Sequence, residues 1–143
     1  MILQRDLRLN NSINKFGCYL MCIFFLVNKY TGYMFSPQII KDLYKVFISH
    51  GYIDKDCFII DPEAIFEFLQ MPVQYTQRHE LPIRQCRNNE IEVLMFKLAR
   101  LHKHAWKHFA VGNGKGTVTY DPYGVSRAVA EGRLISKRIF RRL

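Results

Sequence analysis

Three residues of this sequence carry the side chains that nucleophilic amide chemistry needs. Cys18 follows a glycine at the start of an apolar run, His108 precedes an apolar segment, and Asp121 precedes a proline. A thiolate can attack a carbonyl carbon, a histidine can take up the thiol proton, and a carboxylate can orient that histidine. The three residue types therefore indicate cysteine-dependent hydrolysis, provided that the fold brings them to one place.

The segment around Cys18 has the pattern of a buried helix with an activated thiol in its first turn. No residue from Cys18 to Val27 is charged, and a helix that is apolar on every side belongs in the middle of a core. Unpaired N–H groups and the positive end of the helix dipole would favour the thiolate of Cys18. The pattern predicts a helix over residues 18–30 that ends at Gly32. The simpler interpretation is that Cys18 is an inert, buried cysteine.

His108 and Asp121 are predicted to lie at the open end of one β-hairpin. Residues 106–112 and 117–120 have the composition of strands, and 113–116 form a hairpin turn whose glycines tolerate positive φ. The strand ends opposite such a turn lie side by side, so Asp121 can approach the His108 ring. Taken separately, this histidine could be one of several exposed histidines in a basic segment, and the Asp-Pro pair could only start a turn.

The rest of the chain supplies the elements that must position these residues. Cap residues followed by proline predict two more helices, over residues 37–49 and 62–69. Strands are predicted at 73–76, 90–98, 106–112, 117–120 and 134–140, with a short extended piece at 57–60 and loops at 1–16 and 83–89. Helices followed by antiparallel strands form the α+β pattern. We predict a single α+β domain over residues 1–143, because the length suits one domain and no linker interrupts the chain.

The chain is strongly basic. Its 143 residues include 21 Lys and Arg against 12 Asp and Glu, which gives a formal net charge of +9. Such an excess favours polyanionic partners such as nucleic acid, anionic lipid or an acidic polymer. Part of the charge lies in two clusters, Arg100, Lys103 and Lys107 in one and Lys137, Arg138, Arg141 and Arg142 in the other. No nucleic-acid motif accompanies them, so a specific nucleic-acid partner is not favoured.

The number of cysteines and the length of the apolar run indicate the redox state and the location that we expect for the protein. The four cysteines do not imply disulfides, because a chain of this length can bury a core without them. The apolar run 18–27 is too short to span a bilayer, and no signal-peptide cleavage site follows it. We therefore expect reduced thiols, no membrane span, and a protein that is cytoplasmic or released without its own signal peptide.

A metal site is the main alternative use of the cysteines. Cys18 and Cys22 could bind zinc together with a histidine from the group His102, His104 and His108. A cysteine pair one helical turn apart is not the usual Cys-x-x-Cys zinc knuckle, however. The same spacing argues against a redox pair. The sequence therefore predicts neither a metal nor another cofactor.

Four short segments near the two ends of the chain carry a family resemblance. They are Gln4-Arg5-Asp6-Leu7-Arg8, Phe16-Gly17-Cys18-Tyr19-Leu20-Met21-Cys22, His108-Phe109-Ala110-Val111-Gly112 and Tyr120-Asp121-Pro122. Together they resemble the C39-like branch of papain-fold cysteine peptidases, including related spirochaete and phage proteins of unknown function. The resemblance covers roughly residues 4–29 and 104–123.

The resemblance implies a papain-like fold, with N-terminal helices packed on a C-terminal antiparallel sheet. It implies that Cys18 is the nucleophile, His108 the general base, Asp121 the residue that orients it and Gln4 the oxyanion donor. Asn14 is the local alternative to Gln4, since it is closer in sequence to the helix. The implied activity is hydrolysis of an amide in a peptide or peptidoglycan, in a phage or mobile-element setting. The alternative function is a catalytically inactive, papain-like binding protein that uses its basic surface for nucleic acid or another acidic partner.

Overall fold

Helices occupy the first half of the chain and strands most of the second half in a computed structural model that describes residues 1–79 and 84–143. The helices are α1 Asn11–Phe16, α2 Cys18–Thr31, α3 Pro37–Ser49, α4 Pro62–Phe68 and α5 Arg127–Glu131. The strands are β1 Val73–His79, β2 Glu90–Arg100, β3 Lys103–Gly112, β4 Val118–Tyr120 and β5 Arg133–Arg142. The predicted α+β class, with N-terminal helices and a C-terminal antiparallel sheet, is confirmed.

The strands form one antiparallel sheet in the order β1-β5-β2-β3-β4. β2 lies at its centre and is buried continuously from Ile91 to Phe96. One face of the sheet packs on α2 and the other on α5, so both sets of side chains on β2 are covered. This double burial explains why the sequence of β2 does not alternate cleanly between apolar and polar residues.

α2 lies in the main core, as its uniformly apolar sequence predicts. Seven of its residues are buried, namely Leu20, Met21, Cys22, Ile23, Phe24, Leu26 and Val27. It packs on the sheet through aromatic pairs: the rings of Tyr19 and Phe109 are 4.7 Å apart, and those of Phe25 and Tyr120 are stacked at 4.3 Å. The helix ends at Gly32, which has φ 77°, the left-handed conformation that favours glycine at a helix end. Among the residues that the structure describes, no helix is long and apolar enough to cross a membrane.

The predicted β3–β4 turn is confirmed, and its glycines have the expected geometry. Gly114 and Gly116 have φ values of 92° and 86°. The Asn113 side-chain oxygen accepts hydrogen bonds from the backbone N–H groups of Lys115 and Thr117, at 2.8 and 3.2 Å. The turn therefore closes the hairpin whose open end carries His108 and Asp121.

Short helices were the elements that the sequence patterns missed. The predicted loop 1–16 contains α1, capped by the Asn10 side chain, and α5 follows β4, capped by Ser126. These helices have six and five residues, too few for a hydrophobic period to show. The extended piece expected at 57–60 is only an isolated bridge between Ile53 and Ile59.

The strands β1 and β3 are longer than predicted, reaching His79 and starting at Lys103. In the predicted loop 83–89, residue 83 lies outside the described residues and residues 84–89 form no helix or strand.

A buried ion pair ties the hairpin turn to the centre of the sheet. Lys137 on β5 donates to the Glu92 carboxylate on β2 at 2.8 Å, and the side chains are 1% and 0% exposed. The second oxygen of Glu92 accepts from the backbone N–H groups of Gly114 and Gly116, at 3.0 and 2.9 Å. Gly112 leaves room for this contact, since a Cβ there would lie 2.2 Å from the carboxylate. Lys137, which its sequence places in a basic cluster, therefore belongs to the interior.

Candidate active site

The hairpin brings the predicted histidine and aspartate into direct contact. β4 pairs with β3 only at Val111 and Gly112, so the chain leaves β4 beside the part of β3 that carries His108. The Nε2 atom of His108 lies 2.7 Å from Oδ1 of Asp121, and the two side chains are 1% and 5% exposed. This contact joins residues 13 positions apart in the chain.

The Asp121 carboxylate is held by the turn that follows it. The backbone N–H groups of Tyr123 and Ser126 donate to Oδ1 and Oδ2, at 2.9 and 3.0 Å. Burial raises the pKa of Asp121, but the hydrogen bonds from His108, Ser126 and Tyr123 outweigh burial and lower the pKa below its ordinary value. The aspartate is therefore ionised and oriented towards the imidazole.

Cys18 is the first residue of α2 and is only partly buried. Its thiol lies close enough to the imidazole of His108 to raise the pKa of that ring. Because Nε2 of that ring faces Asp121, Nδ1 is the nitrogen left for the sulfur. Burial lowers the pKa of His108, but its hydrogen bonds and charge interactions with Asp121 and Cys18 outweigh burial and raise the pKa to about 9. The imidazole therefore favours its protonated form, with Nδ1 on the side of the Cys18 sulfur and Nε2 facing the Asp121 carboxylate.

Gly17 lies where α1 ends and α2 begins, and a side chain at this position would overlap the last turn of α1. Its φ is −84°, which any residue can adopt, so the turn itself does not need a glycine. A Cβ at this position would lie 2.7 Å from the carbonyl oxygen of Ile13 and 2.9 Å from its Cγ2 atom. Gly17 therefore allows the chain to pass from α1 into α2 without a side chain pressing on Ile13.

Gln4 and Asn14, the two candidate oxyanion donors, contact each other next to the site. The Asn14 amide donates to the carbonyl oxygens of Gln4 and Asp6, at 2.7 and 3.0 Å. The backbone N–H of Gln4 donates to the carbonyl of Pro122, at 2.8 Å, which places Gln4 beside the Asp121 turn. Since both hydrogens of the Asn14 amide are engaged with the backbone, the arrangement favours Gln4 as the donor.

The Gln4 side chain is fully buried and incompletely bonded. Its Nε2 donates to the Asn14 carbonyl oxygen at 3.3 Å, and its Oε1 has no hydrogen-bond partner among the described residues. The unpartnered atom is an acceptor, whereas an oxyanion would need the N–H groups of Nε2. The role of Gln4 as an oxyanion donor stays a prediction.

Aromatic side chains that sequence patterns did not single out cover His108. The Tyr123 ring stacks on the imidazole at 4.6 Å, and the Trp106 ring lies 5.6 Å from it. The guanidinium of Arg5 in turn lies 3.9 Å above the Tyr123 ring. Trp106 is two residues before His108 on one strand, so strand periodicity could have identified it. The cover limits water access to the His108–Asp121 hydrogen bond.

An open cleft of about 500 Å³ lies beside the site. Tyr19 and Phe109, which follow Cys18 and His108 directly in the chain, line its floor together with Arg138. Phe16, Phe58 and Ile60 line it from the helical side and are 53%, 69% and 57% exposed. A cleft of this size with an apolar lining suits a side chain of a bound substrate.

The other three cysteines have surroundings that suppress the thiolate. Burial raises the pKa of Cys22, and it also raises the pKa of Cys57 and of Cys86 to about 12. Cys22 is fully buried in the core, away from the exposed His102 and His104. Among the described residues, no three His, Cys, Asp or Glu side chains are grouped so that they could hold a metal ion.

The comparisons with known proteins identify a family but no activity. The model of a family described as protein of unknown function, DUF261, matches residues 1–142. No curated protein and no solved structure matches the chain.

Proposed function

The chain belongs to the DUF261 family, and from the geometry of its site we propose that it is a papain-like cysteine peptidase or amidase. In this proposal it hydrolyses an amide bond in a peptide or peptidoglycan. One observation carries the proposal: the His108 ring lies between a cysteine at the start of a buried helix and an ionised aspartate 2.7 Å away. A nucleophile, a base and an orienting group in that order are the components of cysteine-dependent hydrolysis.

In the proposed reaction, Cys18 attacks the substrate carbonyl as a thiolate while His108 holds the proton on Nδ1. The carbon–sulfur bond forms, the carbon–nitrogen bond breaks, and the His108 proton passes to the departing amine. Water then attacks the thioester while His108 takes one of its protons, the carbon–sulfur bond breaks, and the carboxylic acid leaves as the Cys18 thiolate and the protonated His108 are restored. Asp121 keeps the ring oriented in both steps and stabilises its protonated form.

Two groups are proposed to stabilise the oxyanion of the tetrahedral intermediates. α2 starts without a side-chain cap, so the N–H groups of its first turn remain available to a negative oxygen. The Gln4 amide, held between α1 and the Asp121 turn, is the second donor.

The papain-like, C39-like assignment of the fold belongs to the same proposal. It is supported by a buried helix that carries the nucleophile at its start and by an antiparallel sheet that carries the histidine. The four sequence segments that resemble that branch all lie in or beside the site.

Alkylation by iodoacetamide over pH 5–9, with each cysteine followed by peptide mass mapping, tests the nucleophile. At pH 7 we expect Cys18 to react at least about tenfold faster than the other three cysteines, because burial suppresses their thiolates. His108→Ala should remove most of this advantage, and Asp121→Asn should reduce it.

Two controls make the alkylation result decisive. Cys22, Cys57 and Cys86 are internal references within each sample, and His102→Ala is the matched histidine variant, since His102 is exposed. Equal reactivity of all four cysteines, or a Cys18 rate that does not respond to His108→Ala, would refute the proposed nucleophile–base pair.

A further inference from the structure

A row of three positive charges crosses the sheet near the candidate active site. Lys97 on β2 lies directly opposite Lys107 on β3 and directly opposite Arg133 on β5. All three residues are exposed. Adjacent strands are about 4.8 Å apart, so three like charges lie within about 10 Å of one another. Like charges in directly opposed positions repel and destabilise a sheet.

No carboxylate neutralises this row in the part of the chain that the structure describes. Lys97, Lys107 and Arg133 take part in none of the ion pairs found there. Glu131, the acidic residue closest to Arg133 in sequence, is already bound to Arg127 at 2.7 Å. The three positive charges are therefore not compensated by a carboxylate among the described residues.

The row lies on the sheet face that packs against α2. Side chains two positions apart on a strand share a face, so Lys107 lies on the same face as Phe109, about 7 Å further along β3. Phe109 packs on Tyr19, the residue after Cys18, and lines the apolar cleft. A chain bound in the cleft and extending along this face would reach the row.

We propose that the row of Lys97, Lys107 and Arg133 binds an acidic stretch of the polypeptide substrate and thereby places the bond to be cut at Cys18. This inference rests on the proposed function. In an extended peptide, side chains that share a face are about 7 Å apart, which lies between the roughly 4.8 Å separation of neighbouring cations and the roughly 10 Å span of the row. Alternating glutamates or aspartates could thus face the cations.

The surroundings of the row favour a peptide over a nucleic acid. Single-stranded nucleic acids bind through exposed aromatic side chains on which bases stack, in addition to positive charge. The aromatic residue next to the row, Trp106, lies on the opposite face of β3 and packs against His108 and Tyr123. The exposed aromatic rings on this side of the molecule, such as Phe58, lie in the cleft beside Cys18 and not at the row, so among the described residues the row itself offers no stacking surface for bases.

Fluorescence anisotropy with a labelled glutamate-rich peptide tests the row, with Cys18→Ala as the background so that no turnover occurs. The row variant is Lys97→Glu, Lys107→Glu and Arg133→Glu. The control variant is Lys45→Glu, Arg87→Glu and Lys115→Glu, which changes the net charge by the same amount at exposed sites elsewhere. We expect the row variant to bind at least about tenfold more weakly, and the control variant to stay within about twofold of the background.

Three outcomes would overturn the inference. Equal weakening by both variants would mean that net charge, not the row, attracts the peptide. Unchanged binding by a row variant whose circular dichroism matches the background would exclude the row. Tighter, row-dependent binding of a single-stranded oligonucleotide of the same charge would assign the row to nucleic acid.

A protection experiment on the protein with Cys18 intact separates this inference from the proposed function. The glutamate-rich peptide should slow iodoacetamide labelling of Cys18 in the control variant but not in the row variant. Protection lost in both variants, or kept in both, would show that the row does not guide the peptide to Cys18. The alkylation test over pH 5–9 could fail while peptide binding still depends on the row. That result would refute the proposed hydrolase function but not the binding of the peptide by the row.

Discussion

His108 shows how opposing effects set the state of one buried side chain. Burial alone would make the ring neutral, but hydrogen bonds and charges from Asp121 and Cys18 raise its pKa from 6.5 to about 9. A folded-state pKa above the unfolded value means that the protonated ring stabilises the folded protein. This contribution is complete below about pH 6.5 and is lost as pH rises through about 9. The lowered pKa of Asp121 acts in the opposite range, since its contribution to stability is lost only in acid, below the ordinary aspartate pKa of 3.8.

We expect the stability difference between the wild-type protein and His108→Gln to depend on pH. The wild-type advantage in the free energy of unfolding should fall by up to roughly 3 kcal/mol between pH 6 and pH 10, at about 1.4 kcal/mol per pKa unit. Urea unfolding of both proteins at several pH values measures it. His50→Gln, at an exposed histidine, is the control. A difference that stays constant over this range would contradict the raised pKa.

The junction of α1 and α2 shows how one small residue helps to place Cys18. α1 is capped by Asn10, and its backbone accepts the Gly17 N–H at 2.9 Å. The close contact between Gly17 and Ile13 brings α1, and with it Asn14, against the start of α2. The Cys18 position therefore depends on packing between two helices rather than on the conformational freedom of glycine.

Gly17→Ala should destabilise the protein and disturb the site together. The added methyl would overlap Ile13, and overpacking of this kind costs about 1–3 kcal/mol. We expect that loss in the free energy of unfolding, measured in urea, and slower alkylation of Cys18 under native conditions. Gly32→Asn is the control, because Gly32 has φ 77°, which asparagine tolerates, and no heavy atom within 4 Å of an added Cβ. Full stability of Gly17→Ala would exclude the close contact.

At the scale of the whole molecule, the buried pair Glu92 and Lys137 connects distant parts of the sheet. Lys137 Nζ also donates to the carbonyl of Arg84 at 2.8 Å, and Glu92 binds the β3–β4 turn. One ion pair therefore joins the loop before β2, the central strand, the last strand and the β3–β4 hairpin. Removing one member of such a pair strongly lowers the free energy of unfolding, because the other charge is then buried without a counter-charge.

Glu92→Gln should cost about 3–5 kcal/mol of unfolding free energy, because it leaves the Lys137 charge buried without a counter-charge. Replacing Lys137 by Met in the same chain should recover part of that loss. Glu131→Gln is the matched control, since Glu131 forms an exposed pair with Arg127 that should contribute no more than about 0.5 kcal/mol. A Glu92→Gln protein as stable as Glu131→Gln would refute the proposed role. Urea unfolding at pH 7 measures all the variants.

Several features of the site were predictable because they depend on neighbours in sequence. The uncharged run after Gly17 specifies a buried helix, and Asn113 with two glycines specifies the hairpin turn. That turn determines that His108 and Asp121 lie at the same end. The short helices α1 and α5 were missed, since they depend on caps and packing rather than on a long hydrophobic period.

The sequence by itself determined the α+β class, the buried helix and the residue types available for catalysis. Only the tertiary structure decided which ring nitrogen of His108 faces Asp121, that Lys137 is buried against Glu92, and that three cations align across three strands. These features join residues far apart in the chain, 45 positions in the case of Lys137 and Glu92. Periodicity and propensity report on local neighbours, whereas strand register and side-chain packing are set by the folded molecule as a whole.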